Sequence, residues 1–100
     1  MNFKEINLEE MNFEEFKKEV LIYGVSLSRF IKLFNGIEKM AQRKEYKKAL
    51  SYAEFLSYAT VKYTKHEVAM YKRNVNALGN LIQECNLNLT NEVSVNKAMH

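Results

Sequence analysis

The chain contains no proline, no tryptophan, one cysteine and three glycines among its 100 residues. Without proline, nothing in the sequence forces a helix to kink or end, and we expect helix to dominate. The lone Cys85 has no partner for an intramolecular disulfide and no second cysteine for a zinc site, which agrees with a reducing compartment. We therefore expect a cytoplasmic protein in which Cys85 is a small buried apolar side chain.

Long apolar runs are also absent, so no segment reaches the roughly 20 residues that span a bilayer. The N-terminus carries carboxylates where a signal peptide would have its basic and apolar regions. With 47% apolar and 12% aromatic residues, the chain can bury one small core. We expect a single domain over residues 1–100, without contact with a membrane.

Groups suited to catalysis or metal binding are scarce. His66 and His100 are the two histidines, and neither lies at ligand spacing from another histidine or a cysteine. The adjacent pairs Glu9-Glu10 and Glu14-Glu15 point in different directions on a helix, so neither pair easily shares a site. No glycine-rich phosphate loop or nucleophile elbow is present. The sequence predicts a protein that is not an enzyme and needs neither metal, cofactor nor small-molecule substrate.

The charge is unevenly distributed although the net charge is only +3. Residues 1–20 contain three lysines and six glutamates, a local charge of −3, whereas residues 39–73 contain nine lysines and arginines against three glutamates, a local charge of +6. An acidic leading segment before a basic body indicates a surface for a polyanion. The simpler alternative is that the lysines only solvate the outer faces of helices.

Two N-terminal helices follow from capping residues and apolar spacing. Asn12 can cap a first helix that ends at Gly24, and its apolar stripe is Phe13, Phe16, Val20 and Tyr23. A second helix can start at Ser26 or Ser28, and Asn35-Gly36 offers a stop or a kink. The helical pattern resumes at Ile37 and continues through Met40, Ala41, Tyr46, Ala49 and Leu50.

Two capping boxes follow, at Ser51 to Glu54 and at Thr64 to Glu67. They predict a short helix that ends near Thr60, a tight turn and a longer helix. After Gly79 the apolar spacing changes to alternation over Leu81 to Leu89, and Val93 and Val95 continue it beyond a turn at Thr90-Asn91. This pattern predicts a C-terminal β-hairpin. One alternative stays open: Val68, Tyr71, Val75, Leu78 and Ile82 are also consistent with one helical stripe through Gly79.

This order of elements resembles the winged helix-turn-helix superfamily over residues 37–97. The residues that carry the resemblance are Ser51-Tyr-Ala-Glu-Phe-Leu for the positioning helix, Val61 for the turn, Thr64 to Leu78 for the recognition helix, Gly79 for its stop, and Leu81 to Leu89 with Glu92 to Asn96 for the wing. The turn departs from the usual pattern, because Thr60 replaces its glycine and Val68 comes two residues late. The resemblance implies an α+β fold, mainly helical, in which residues 1–36 are accessory helices.

The resemblance implies a sequence-preferring protein for double-stranded DNA, acting in transcription regulation or in replication or conjugative transfer of a plasmid or phage. If the stripe from Val68 to Leu78 is buried, helical geometry places a set of polar and small residues toward a major groove. That set is Thr64, Lys65, His66, Ala69, Lys72, Arg73 and Asn76. The wing would offer Asn86, Asn88, Thr90 and Asn91 to a minor groove, where amides suit AT-rich DNA. The bland alternatives are a basic surface helix and a solvated turn.

A rival plain helix-turn-helix lies in residues 16–35, where Gly24, Val25, Phe30 and Leu33 match the turn glycine and buried positions. Its DNA-facing residues would be Ser26, Ser28, Arg29 and Lys32. The apolar Leu21 and Ile22 stand at its solvent-facing positions, which favours a helical hairpin for core packing or for a homodimer.

The competing functional class is a helical protein-interaction module, or a phage-encoded inhibitor, with a basic binding face. The two classes differ at residues 80–96. A hairpin there favours a DNA reader, whereas a helix to Cys85 followed by disorder would remove the wing and favour the interaction module.

Overall fold

The computed structural model of this chain describes the backbone of residues 12–98 and the side chains of residues 12–91. The described elements are α1 (Phe13–Ile22), β1 (Val25–Ser26), α2 (Leu27–Gln42), α3 (Tyr46–Leu56), β2 (Val61–Lys62), one 3₁₀ turn (Lys65–Glu67) and α4 (Val68–Ala98). The fold is therefore mainly helical, with a minimal parallel sheet, and belongs to the expected α+β class.

The starts of α1 and α2 are set by side-chain caps, as the sequence predicts. The Asn12 side chain accepts a hydrogen bond of 2.9 Å from the Glu15 backbone N–H, and the Ser26 hydroxyl accepts one of 3.2 Å from the Arg29 N–H. Between the two helices, Gly24 has a φ of +67°, and a Cβ there would lie 3.1 Å from the Thr60 carbonyl oxygen. The turn needs glycine for both reasons.

Helix α2 continues through Asn35-Gly36, so of the two predicted alternatives, a stop or a kink, the stop is wrong. Its buried side extends on both sides of the pair, from Leu33 and Phe34 to Ile37 and Met40, and a break would divide this apolar stripe. The chain turns later, at Lys44, whose φ of 65° is in the left-handed region.

Helix α3 begins at Tyr46, and the capping box predicted at Ser51 is therefore wrong. Ser51 lies inside the helix, where its hydroxyl donates a 3.1 Å hydrogen bond to the carbonyl oxygen of Lys47. One buried stripe runs across the predicted boundary, made of Ala49, Tyr52, Ala53 and Leu56. Packing of this stripe outweighs the capping preference of a single serine.

A parallel two-residue bridge joins the segments that precede α2 and α4. Val25 pairs with Val61 and Ser26 with Lys62, and the Val25 N–H also donates a 2.9 Å hydrogen bond to the Thr60 carbonyl oxygen. The bridge brings the starts of α2 and α4 to the same end of the molecule.

The core lies between the four helices, and α4 packs mainly against α3 and also against α2. Helix α1 closes one side of the core with aromatic contacts to α3: the ring of Phe13 lies 5.0 Å from that of Tyr52, and the ring of Phe16 lies 4.8 Å from it. The largest fully buried side chains are Phe16, Phe30, Leu27, Leu33, Ile37, Met40, Leu56, Leu78, Val20 and Cys85. Cys85 is a buried free thiol, as predicted.

The C-terminal β-hairpin predicted from the alternating pattern is wrong, because α4 is one helix from Val68 to Ala98. Gly79 does not stop it, and Thr90-Asn91 lies within it. The side chains of Leu78, Leu81 and Cys85 are buried at i, i+3 and i+7, a spacing that only a helix directs to one side. Leu87, which the alternating pattern would bury, is 64% exposed. The unbroken helix left open by the sequence is the observed one, but its buried side differs from the predicted stripe. Of Val68, Tyr71, Val75, Leu78 and Ile82, only Leu78 is buried, and Val75 is 40% exposed.

Polar residues in the second half of α4 are compatible with helix because two of them bond back to its own backbone. The Asn88 amide donates to the Glu84 carbonyl oxygen, and the Thr90 hydroxyl donates to the Asn86 carbonyl oxygen, each at 2.8 Å. These contacts satisfy side chains that a hairpin would have left to solvent.

Gly79→Ala is expected to raise the free energy of unfolding by about 0.5–1 kcal/mol, because alanine lowers the backbone entropy cost in a helix interior. A Cβ at Gly79 meets no atom within 4 Å, so no clash offsets the gain. Gly24→Ala should instead destabilise the fold, since it combines a positive φ with a close contact. Urea unfolding of the three proteins tests both signs, and a destabilising Gly79→Ala would contradict an uninterrupted α4.

Cys85 should make stability depend on alkaline pH. Burial, and secondarily the charge of Glu84, raises the pKa of the Cys85 thiol above its ordinary value of 9.0. The raised pKa contributes stability below the unfolded pKa, and this contribution is lost as pH rises through the folded pKa. Urea unfolding between about pH 7 and about pH 10.5 should show a steeper fall for the wild type than for Cys85→Ala. Parallel pH profiles would contradict this.

Candidate binding surfaces on the C-terminal helix

The start of the long helix is fixed by the predicted capping box of Thr64 and Glu67. The Glu67 carboxylate accepts a 2.9 Å hydrogen bond from the Thr64 backbone N–H, and the Glu67 N–H donates to the Thr64 carbonyl oxygen at 3.0 Å. Glu67 is the one acidic residue between positions 65 and 83. Because its carboxylate is bound at the helix start, it does not neutralise the lysines and the arginine that follow.

The seven residues predicted to contact a major groove are all exposed: Thr64, Lys65, His66, Ala69, Lys72, Arg73 and Asn76. We call the side formed by Lys65, Lys72 and Arg73 the cationic face. Among residues 12–91, none of these three cations is held in an ion pair. The cationic face is thus available to a negatively charged partner.

The four residues assigned to the wing lie on the same helix as the cationic face. Asn86, Thr90 and Asn91 are exposed, and Asn88 is half-buried with its amide bonded to the backbone. Asn91 follows Asn76 by fifteen residues, which is about 22 Å along a helix. These four residues continue the helix that carries Lys72 and Arg73 and do not form a separate element for a minor groove.

An apolar groove, which we call the α4 groove, lies beside the cationic face. Its volume is about 200 Å³, and its lining includes Phe30, Leu56, Val61, Tyr71, Val75 and Ile82, together with Gly79. The walls come from α2, α3, β2 and α4; Phe30 of α2 is distant in the sequence from the other lining residues, which lie between Leu56 and Ile82. Sequence analysis missed this groove, and the only local signal for it is a glycine within the apolar stripe from Val75 to Ile82.

Two stacked tyrosines tie the loop after β2 to α4 at the groove. The rings of Tyr63 and Tyr71 lie 4.3 Å apart and are nearly parallel, with an angle of 14° between them. Tyr63 is still 45% exposed, so the stack presents aromatic surface to solvent. Aromatic surface of this kind is enriched at protein interfaces.

The cationic face and the α4 groove share a border. Lys72, Val75 and Gly79 lie at i, i+3 and i+7, so they follow one stripe along the helix. Lys65 lies seven residues before Lys72, in the 3₁₀ turn that leads into α4. The α4 groove therefore has a positively charged edge, and one ligand can contact the groove and the cationic face together.

The rival helix-turn-helix has the buried positions that the sequence predicts. Gly24 is left-handed, and Val25, Phe30 and Leu33 are buried. Of its predicted DNA-facing residues, Ser28 and Lys32 are exposed, the Ser26 hydroxyl caps α2, and Arg29 forms an ion pair with Glu19. The structure thus brings the four residues to one helix start, where the hydroxyls of Ser26 and Ser28 also form a 3.3 Å hydrogen bond.

The core-packing role expected for α1 is confirmed, because Phe16 and Val20 are fully buried. Leu21, Ile22 and Tyr23 remain exposed at the end of this helix. They form an apolar patch at the position where the sequence predicts a contact with a second protomer.

The carboxylates and histidines show no catalytic grouping within the part of the chain that the structure describes. No three side chains of His, Cys, Asp or Glu among those residues are arranged to hold a metal ion. Glu14 pairs with Lys17 at 3.0 Å, whereas Glu15 contacts the Asn12 amide. Glu9-Glu10 and His100 lie outside the described residues.

No family model, no curated protein sequence and no solved structure matches this chain. None of the described helices is long and apolar enough to cross a membrane.

Glu67→Ala is expected to destabilise the fold by about 0.5–2 kcal/mol, because it removes the acceptor of the Thr64 N–H and a favourable charge at the helix start. The same variant should speed hydrogen exchange of the Thr64 amide. Glu84→Ala, a matched change in the exposed middle of α4, should alter stability much less. Equal effects of the two variants would show that the capping box does not stabilise the start of α4.

Proposed function

We propose that this chain is a helical protein-interaction module that binds an acidic segment of another protein at the start of α4. The observation that carries the proposal is the continuous helix over residues 80–96, which takes the place of the wing that a winged-helix DNA reader would use. The buried stripe of Leu78, Leu81 and Cys85 holds that helix in place. Its cationic face and the α4 groove then stay side by side on the surface.

The composition of the two surfaces suits a protein partner. Binding energy at protein interfaces is concentrated in a few aromatic and apolar anchors in well-packed pockets, and polar residues surround them. Tyr63, Tyr71 and Val75 supply the aromatic and apolar part, and Lys65 and Lys72 supply the polar edge. A partner with carboxylates beside an apolar side chain complements this arrangement.

Electrostatic attraction should act mainly on association and specificity. The cationic face is short: its three residues, Lys65, Lys72 and Arg73, lie within nine residues, or about 12 Å of helix. At 0.1 M salt the electric field of an exposed charge is screened beyond about 10 Å. Cations at an exposed edge speed the encounter with an acidic partner more than they stabilise the bound complex. The apolar groove then supplies most of the affinity.

Duplex DNA is a second candidate, favoured by the exposure of all seven residues predicted to contact a major groove. Ala69 allows close approach of the helix, and Arg73 and Asn76 have the two-pronged geometry that recognises guanine and adenine. The α1–α2 turn adds the local geometry of a plain helix-turn-helix. Under this candidate the chain is a sequence-preferring DNA-binding protein that acts in transcription regulation or in plasmid or phage DNA processing. Dimerisation through Leu21 and Ile22 would then place two copies of α4 on two half-sites of the duplex.

The two candidates are separated by parallel binding experiments on the full chain. Random peptides of about 16 residues displayed on phage are selected on the immobilised protein, since this length covers a helix-in-groove ligand. AT-rich and GC-rich duplexes of about 20 base pairs are titrated at salt concentrations from about 50 to about 200 mM. The charge-reversal variant Lys65→Glu with Lys72→Glu is compared with Lys47→Glu plus Lys48→Glu, which makes the same charge change on α3.

For an interaction module we expect enriched peptides rich in Asp and Glu, whose affinity falls at least about tenfold, or about 1.4 kcal/mol, in the Lys65/Lys72 variant. The Lys47/Lys48 variant should bind these peptides nearly as the wild type does. Enrichment of peptides without acidic bias, or equal losses in both variants, contradicts the proposal. The result favours DNA if no acidic peptide is enriched and the chain binds duplexes tightly. That binding should then weaken steeply with salt and be lost in the Lys65/Lys72 variant.

A further inference from the structure

Gly79 stands in the interior of α4 without a structural reason in the chain itself. Its backbone is helical, it does not stop the helix, and a Cβ would meet no atom within 4 Å. Glycine at such a position destabilises a helix relative to alanine. The cost falls at a residue that lines the α4 groove.

We propose that Gly79 is the point at which an apolar side chain of the partner contacts the α4 backbone. The partner is an acidic segment with one aromatic or large aliphatic anchor, and the anchor enters the α4 groove across Gly79. This inference rests on the proposed interaction function and specifies the chemistry of the partner. The absence of a side chain at position 79 keeps the groove open and allows close approach to the backbone.

The groove has the size and polarity for one such anchor. Its volume is about 200 Å³, and an engineered apolar cavity of about 150 Å³ is large enough to bind benzene. The Ser57 hydroxyl, at the groove wall, already donates to the Glu54 carbonyl oxygen. The wall therefore favours an apolar side chain over one that requires a hydrogen bond.

The lysines beside the groove set the spacing of the partner's carboxylates. Lys72 precedes Gly79 by seven residues, which corresponds to about 10 Å along α4. A carboxylate that reaches Lys72 then lies about 10 Å from the anchor, or about two turns away if the partner is helical. Glu67 does not compete for Lys72, because its carboxylate is bound at the helix start.

The test uses peptides selected on the full-length wild-type chain from the phage-displayed library described above. Their affinity is measured for Gly79→Ala, Gly79→Leu and the control Asn80→Leu. Asn80→Leu adds the same leucine side chain to an exposed neighbouring position, about 100° further around the helix. Circular dichroism and urea unfolding verify that all variants are folded, which helix-favouring substitutions at exposed positions should preserve.

We expect selected peptides to combine an aromatic or large aliphatic residue with Asp or Glu about seven residues away in helical sequences. Their affinity should fall at least about tenfold in Gly79→Leu, by less in Gly79→Ala, and little in Asn80→Leu. The stability of Gly79→Ala should rise while its affinity falls, a combination that damage to the fold does not produce.

Unchanged affinity in Gly79→Leu overturns the anchor proposal. If those peptides still lose affinity in the Lys65→Glu, Lys72→Glu variant, the interaction function stands and only the anchor site is wrong. If no acidic peptide is enriched, both proposals fail. Concentration-dependent dimerisation that Gly79→Leu abolishes would show that a second copy of the chain occupies the groove, which also overturns the acidic partner.

Discussion

A stripe of three buried side chains on α4 determines how this chain is arranged and which surfaces it offers. Leu78, Leu81 and Cys85 enter the core between α2 and α3, and burial of each leucine contributes about 1.5–3 kcal/mol relative to exposure. Because a helix has a fixed rotation per residue, the burial of these three side chains fixes the orientation of every other residue on α4. The cationic face is directed outward and Gly79 lies at the edge of the groove for that reason.

Local hydrogen-bond chemistry was predictable from the sequence. Asn12, Ser26 and the pair Thr64 and Glu67 start helices where the sequence indicates, since a cap depends only on residues two or three positions apart. Gly24 turns the chain for the same local reason. The main error concerns the segment after Gly79, where Leu81 and Cys85 fit both the two-residue period of a strand and a helical stripe. Leu78 decides between them, because it packs in the core together with both.

Of the candidate site, the cationic face could be predicted from the sequence and the α4 groove could not. The exposure of the cationic face was predicted from helical geometry, although the predicted buried side was only partly right, since Leu78 is buried and Val75 is 40% exposed. The α4 groove requires Phe30, Val61 and Val75 to meet, and the residues that separate them hold no pattern that reports the contact. Ser51 is a case in which tertiary packing overrides a local preference. Serine is typical of a helix start, but the packing of Tyr52 and Leu56 places Ser51 inside α3.

The parallel bridge between Val25 and Val61 also bears on the order in which the molecule assembles. The helices α2 and α3 are joined by a turn of three residues, whereas the bridge closes a loop of 36 residues and carries a larger entropy cost. Val61 lines the groove only when this loop is closed, because its pairing with Val25 holds the segment in place. A nascent or partly unfolded chain therefore presents lysines but no anchor site. A partner that needs both recognises only the finished fold, and by binding it shifts the folding equilibrium toward that fold.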